Sequence, residues 1–335
     1  MSASQVPPLS VLELATVQEG RPASEAFAAV TSVARRADEL GFRRVWVAEH
    51  HGYRSVGSIA PPVLATHLAG STGRLRVGSG GVLLPNHAPL AVAEQFLTLA
   101  SLHPDRIDLG IGRGPGTTDA RAVRALRGTD APVTEDAYRA AVTELLGYLA
   151  GADGTRVLAG AGDPPRPWLL ASSAGGATVA AELGLPLAIG HHIRPGNTVP
   201  ALAAYRDGFR ASRWCEQPYV IVCVETLCAP TDAAAGQLGR PSALAMAGAL
   251  QGKGTEAELP SPEDAAQRDI PPDVADRLAA LRSTQAYGSP QTVQTRLGQL
   301  AAQTAADELM LSTPVYARAD RLRSLELVAA NASRR

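Results

Sequence analysis

The 335-residue sequence predicts an α/β fold of the (β/α)8 TIM-barrel type, and three observations carry that expectation. Eight short apolar runs alternate with stretches of helical periodicity along the chain. One of them, Arg44-Val45-Trp46-Val47-Ala48, stops at Glu49, His50 and His51. Titratable groups at the carboxyl end of a core strand sit where parallel α/β folds bind ligands and react. Hydrophobic residues make up 45% of the chain, enough to fill one large core. A doubly wound sheet is the alternative, though its layers rarely need eight such units.

Taken in order, Val11 to Val17 reads as the first strand. Ser24 reads as the N-cap of a helix reaching about Leu40, where Gly41 ends it. Arg44 to His51 holds the second strand. Pro61 and Pro62 open a helix through about Ala69, and Arg76 to Leu84 forms the third strand. Gly78, Gly80 and Gly81 weaken that strand unless a ligand or another backbone must approach closely. Pro89 starts a helix through Leu102, and the fourth strand, Arg106 to Gly112, runs straight into Arg113-Gly114-Pro115-Gly116. A helix over Thr134 to Leu149 precedes a Gly/Asp/Pro loop from Gly151 to Pro167. The last four strands are Trp168–Ser173, Leu187–His192, Tyr219–Ala229 and Glu308–Thr313. Their helices begin near Gly176, Val199, Asp232 and Asp320.

The stretch Gln251 to Asp273 breaks the rhythm, being polar and carrying Pro260, Pro262, Pro271 and Pro272. It is too long for a routine connection, so it is either a mobile lid or a disordered insertion within a single domain spanning 1–335. Its place after the seventh strand, on the carboxyl-end side, favours the lid.

Charge excludes some partners. With 31 basic and 32 acidic residues the net charge is −1, so no long-range field draws in nucleic acid or an anionic membrane. The opening MSASQVPPLS has neither a charged n-region nor an apolar h-region, and no apolar run approaches spanning length; a cytoplasmic protein is expected. Cys215, Cys223 and Cys228 lack C-x-x-C spacing and read as reduced thiols.

Each candidate site has a bland counterpart. Glu49, His50 and His51 suit proton transfer, because imidazole titrates near neutral pH, or they merely cap the sheet. Gly110 to Gly116 fits neither G-x-G-x-x-G nor a Walker loop, leaving a strand end where backbone meets a flat ligand, or a simple turn. Ser172, Ser173, Gly175 and Gly176 lie between a strand and a helix and make a phosphate cradle, or an ordinary N-cap. The doublets His50-His51 and His191-His192 invite a metal. Neighbours on a strand point to opposite faces, however, so each doublet offers one inward ligand at most, and no metal is expected. His67, His87 and His103 have no partner that the sequence names.

Several stretches together resemble the bacterial luciferase-like, flavin-dependent monooxygenases: GFRRVWVAEHH, VGSGGVLLPNHAPLAVAEQF, PDRIDLGIGRGPG, AAELGLPLAIGHH, YGSP and the closing DRLRSLELVA. The resemblance covers most of the chain and is strongest from Gly41 to Gly116. It implies a barrel binding FMN, as FMNH2, at the carboxyl ends of its strands. It also implies His50 as the catalytic histidine with Glu49 and His51 beside it. Gly80 and Gly81 would be a small pair, often joined by a non-prolyl cis peptide, that supports the flavin ring. Gly112 and Arg113 would line the flavin site, Ser172, Ser173, Gly175 and Gly176 would hold its phosphate, and His191 would stand where luciferase has a tryptophan. The sequence departs from the luciferases in having Gly112 where they carry a reactive cysteine, Gly176 for a usual hydroxyl residue, and Glu135 where they place a phosphate-binding arginine.

The resemblance further implies a two-component monooxygenase, supplied by a separate flavin reductase. It would transfer one oxygen atom through a C4a-(hydro)peroxyflavin to a small organic substrate, for which an antibiotic or polyketide intermediate is the candidate. A homodimer formed through barrel helices is also implied. The rivals are an F420-dependent oxidoreductase on the same barrel, transferring hydride, and a non-catalytic flavin-binding relative.

Overall fold

The computed structural model describes residues 6–332 except 153, 155, 156, 160 and 161. The reading of the opening five residues, and parts of the Gly151–Pro167 loop, therefore lie outside the described residues. The elements are β1 (Leu9–Glu13), α1 (Ala23–Glu39), β2 (Arg44–Val47), α2 (Pro61–Ser71), β3 (Arg76–Leu83) and α3 (Pro89–Leu102). Then come β4 (Ile107–Gly112), α4 (Ala120–Arg127), α5 (Glu135–Ala150), β5 (Arg166–Ala171), α6 (Ala174–Glu182), β6 (Leu187–Gly190), α7 (Thr198–Gly208) and β7 (Val220–Cys228). The chain finishes with α8 (Asp232–Leu238), α9 (Arg240–Leu250), α10 (Pro262–Gln267), α11 (Pro272–Ser283), β8 (Ala286–Gly288), α12 (Pro290–Thr304), β9 (Glu308–Ser312) and α13 (Arg318–Ala332).

Strands β1 to β7 and β9 close into a parallel eight-stranded barrel, with β6 paired to β7 and β7 to β9. The short β8 lies outside it, pairing with Thr226–Cys228 of β7. The alternation of strand side chains separates two packing layers. Val45, Val47, Val77, Leu109 and Ile111 point outward into the large core shared with the helices. Leu12, Trp46, Trp168, Ala188, Ile221 and Met310 point inward and fill the barrel.

Below them lies a buried ionic layer. The Arg44 guanidinium meets Asp108 at 2.6 Å and Glu308 at 2.7 Å, and Arg76 reaches the other Asp108 oxygen at 2.7 Å. Trp46 Nε1 donates to Asp108 at 3.0 Å, and the Ser10 hydroxyl donates to Glu308. Every one of these strand residues points inward, at the amino end of the barrel. A charge left unpaired there would cost several kcal/mol, so the layer persists as a connected set.

Glycine lets β3 and β4 approach closely. A Cβ on Gly78 would lie 2.2 Å from the Asp108 carbonyl oxygen, and one on Gly110 2.2 Å from that of Ser79. At these two positions the close neighbour that the third strand's glycines anticipate is another backbone.

Several boundaries differ from expectation. The first strand ends at Glu13, because Ala15 turns the chain at a positive φ of 50°. Ser24 does not cap α1, which starts at Ala23 after an extended Pro22 and has no side-chain cap. The sequence reading also passes over α12, although Ser289 caps it by accepting from Thr292 N–H and Pro290 opens it. The 251–273 stretch carries structure of its own. It holds α10, and its Leu259 carbonyl accepts from Glu19 N–H at 2.9 Å. Arg54, in the loop after β2, pairs with Glu256 and Glu258 at 2.8 and 3.2 Å. No described helix is long and apolar enough to cross a membrane.

Candidate active site

A cavity of about 410 Å³ opens at the carboxyl ends of the strands. Its floor is the upper inward layer: Leu12, Trp46, Leu170, Ala188, Cys223 and Met310. The inward parity of β2 runs Arg44, Trp46, Ala48 and then His50, which places the His50 imidazole on the cavity wall. The ring packs edge-on against Tyr53 at 5.6 Å. Burial depresses its pKa, partly offset by a hydrogen bond to the Gly116 backbone.

Glu49 has the opposite parity. Its carboxylate is buried, and one oxygen accepts from His51 Nε2 at 2.8 Å and His87 Nε2 at 2.9 Å. The other oxygen accepts from the Leu83 backbone N–H at 2.9 Å. Burial pushes this acid up, but the two imidazoles and the amide together outweigh it and hold the pKa at about 2. A carboxylate with both oxygens engaged is well placed as an anchor. Glu49, which lines the cavity, and His51, which hydrogen-bonds to it, brace the turn that carries His50. His87, without a partner in the sequence reading, is the third member of that anchor.

Gly80 and Gly81 line the cavity, and the bond between them is cis. Small residues are required here even without a ring against them. A Cβ on Gly80 would meet Leu12 Cδ1 at 2.8 Å and Trp46 Cβ at 2.9 Å, and one on Gly81 the Gly110 carbonyl oxygen at 2.7 Å. The barrel's own packing forbids a side chain there. Gly112 and Arg113 also line the cavity, and Arg113 stands 3.7 Å from Glu135.

At one end of the cavity, Ser172, Ser173 and Gly176 lie at the N-terminus of α6, with Gly175 in its first turn. Ser173 occupies the N-cap position without a side-chain cap bond. Free N–H groups of the first turn and spare hydroxyls make an anion cradle. Glu135 crowds it, since a Cβ on Gly175 would lie 2.8 Å from its carboxylate. With Arg113 and Arg194 on the rim, the residues present fit a phosphate. The apolar floor and glycine-backed wall fit a flat ring.

His191 does not enter the cavity, which corrects its assignment to the cofactor site. It sits in the turn after β6, and its two ring nitrogens lie 2.9 Å from Thr198 Oγ1 and 3.1 Å from the Thr284 carbonyl oxygen. His192 lines the cavity instead. Burial brings its pKa down to about 4, with His50 among the groups that lower it further. The sequence reading gives His192 no role of its own; it lies in the turn just past β6, which strand periodicity does not describe.

A family model described as luciferase-like monooxygenase matches residues 8–308. The chain is 40% identical over 330 residues to the protein YvbT of Bacillus subtilis strain 168, covering 96% of this chain and 95% of that protein. It is 37% identical over 321 residues to a luciferase-like monooxygenase of Escherichia coli K12, covering 95% of each. The solved structure of apo-MsnO8 matches with a TM-score of 0.89 at 36% identity, over 97% of this chain and 98% of that one. Two more distant structures share the fold. The FMN-bound oxygenating constituent of 3,6-diketocamphane monooxygenase from Pseudomonas putida has a TM-score of 0.75 at 18% identity, covering 98% of each chain. An F420-dependent secondary alcohol dehydrogenase has 0.70 at 15%, covering 97% of this chain and 99% of that one.

Proposed function

The chain belongs to the luciferase-like monooxygenase family, and on that premise we propose that it is an FMNH2-dependent monooxygenase supplied by a separate flavin reductase. The observation that carries the reading is the cavity itself. It combines a glycine-backed apolar slot, a phosphate-sized cradle at the α6 N-terminus, and the His50 imidazole on its wall. Reduced flavin, when bound, supplies the activation of O2 and the transfer of one oxygen atom to an organic substrate.

The chain's own residues hold and shield. Ser172, Ser173 and the first-turn N–H groups of α6 would take the phosphate, with Arg113 and Arg194 adding charge at the rim. The Gly80–Gly81 backbone would back the ring. His50 would move one proton, and the low pKa imposed by burial keeps it neutral and ready to accept. The 251–273 segment, tied down through Arg54 and Glu19, would act as a lid that excludes water. The exposed Ile59, Val63 and Leu102, beside or on α2 and α3, support a homodimer through barrel helices. A cytoplasmic enzyme acting on an antibiotic or polyketide intermediate is the setting inferred.

Oxygen uptake with photoreduced FMN, followed in stopped flow alongside flavin absorbance, tests the reading. The expected result is that the protein changes the course of flavin reoxidation. Reoxidation identical to that of free flavin sinks the oxygenase reading. Hydride transfer with reduced F420 and no oxygen uptake would put an F420-dependent oxidoreductase in its place.

A further inference from the structure

The neglected member of the second histidine doublet carries more than a place on the cavity wall. The Cys223 carbonyl oxygen accepts the His192 backbone N–H at 3.1 Å and lies 3.2 Å from the His192 ring Nδ1. A carbonyl oxygen has only lone pairs to offer, so Nδ1 must carry the ring proton. In the neutral ring Nε2 is then bare, an acceptor alone. No described residue donates to it, and His192 is part of the cavity lining.

The cavity floor carries no charged side chain. The His192 ring meets the Cys223 carbonyl, it shares the cavity lining with Ala188, Leu170 and Met310, and His191 and His50 act on it electrostatically. The Cys223 thiol is pushed well up by burial and stays protonated. The cations, Arg113 and Arg194, are confined to the exposed rim. An anionic group brought to this floor would lose its hydration without a counter-charge. A wholly apolar molecule would cover Nε2 and leave an acceptor buried without a donor. A neutral molecule bearing one O–H avoids both costs.

We propose that His192 is a substrate-positioning residue whose Nε2 accepts a hydrogen bond from a neutral hydroxyl on the organic substrate, so that the site selects uncharged, largely apolar, hydroxylated molecules. This rests on the proposed reading of the cavity as the oxygenation site.

The test uses a matched pair of probes, 1-naphthol and 1-methoxynaphthalene, titrated by calorimetry into the protein with and without oxidised FMN. The wild type should bind the naphthol about ten- to a hundredfold more tightly than the ether. His192→Asn keeps an amide N–H within reach of the Cys223 carbonyl but has no group at Nε2. It should abolish the preference while leaving the affinity for the ether unchanged. His192→Gln returns an acceptor at similar reach and should restore part of it. Equal affinity for the two probes in the wild type, or a preference that survives in His192→Asn, overturns the proposal. So does a loss of FMN affinity in His192→Asn with the naphthol preference intact, because Nε2 would then serve a ring N–H of the flavin. A preference seen in protein that neither binds FMN nor alters its reoxidation would leave His192 standing and remove the oxygenase reading instead.

Discussion

Arg44 and Glu308, 264 residues apart, form a two-pronged ion pair: Nε and Nη2 of the arginine meet the two carboxylate oxygens at 2.7 and 3.0 Å. The pair ties the amino end of β2 across the barrel to that of β9. Replacing Arg44 with Met leaves the buried Asp108 and Glu308 with Arg76 and the half-exposed Arg43 as their nearby cations. The expected loss is about 3–5 kcal/mol of stability, read as a fall in the urea midpoint. A midpoint within error of the wild type would show that the layer relaxes or hydrates.

Glu49 supplies an acid-stability signature. Its pKa is about 2 in the fold, against an ordinary 4.5. The unfolded chain therefore takes up this proton first, so the contribution is complete above about pH 4.5 and disappears as the pH falls towards 2. It amounts to about 3 kcal/mol, since a tenfold change in proton affinity is worth ~1.4 kcal/mol. In Glu49→Gln the stability curve over that window should flatten, and the variant should already be weakened at neutral pH. An unchanged slope would remove Glu49 from its anchoring role.

His192 adds a second window. Its pKa of about 4 lies below the ordinary 6.5, so the wild type should lose stability as the pH drops from 6.5 to 4. His192→Asn should abolish that share of the slope, measured by thermal melts across the range.

His50 should be separable from the fold. His50→Ala is expected to lower turnover by about 10²–10⁴-fold, the range for a positioned acid–base group, with little change in melting temperature. Wild-type oxygenation by that variant would remove its proton-handling role.

Gly81→Ala tests the tight wall. The added Cβ would sit 2.7 Å from a backbone oxygen, which cannot swing aside. A loss of about 1–3 kcal/mol is expected, together with weaker FMN binding as the wall shifts. Wild-type stability would mean that the two strands part more easily than their packing indicates.

Much of this is legible in the sequence because the sheet is buried on both faces, so that each strand is written as a short apolar run. The barrel can be read from those runs, and the Glu49-His50-His51 strand end and the serine-glycine turn from their polar ends, whereas the choice of His50 and of the Gly80–Gly81 pair comes from the family resemblance. The elements missed are those with weaker marks. Strand β8 has three residues, and α12 is polar enough to pass for loop despite its Ser-Pro start. The error at His191 has a different origin. The doublet falls in the turn just past β6, and that turn, which leaves no mark in the sequence, decides which of the two imidazoles lines the cavity. The partners of Glu49 leave no local trace, since the Leu83 amide lies at the end of β3 and His87 in the segment after it.

The buried ionic layer also governs traffic. With the amino end of the barrel stoppered by charge and tryptophan, the cavity has no exit through its floor. If two molecules share it, the deeper one would enter first and depart last, which would impose an order of arrivals and exits. A product lingering at the mouth would hold every deeper occupant captive. Turnover would then be set by how quickly the doorway clears as much as by events at the floor.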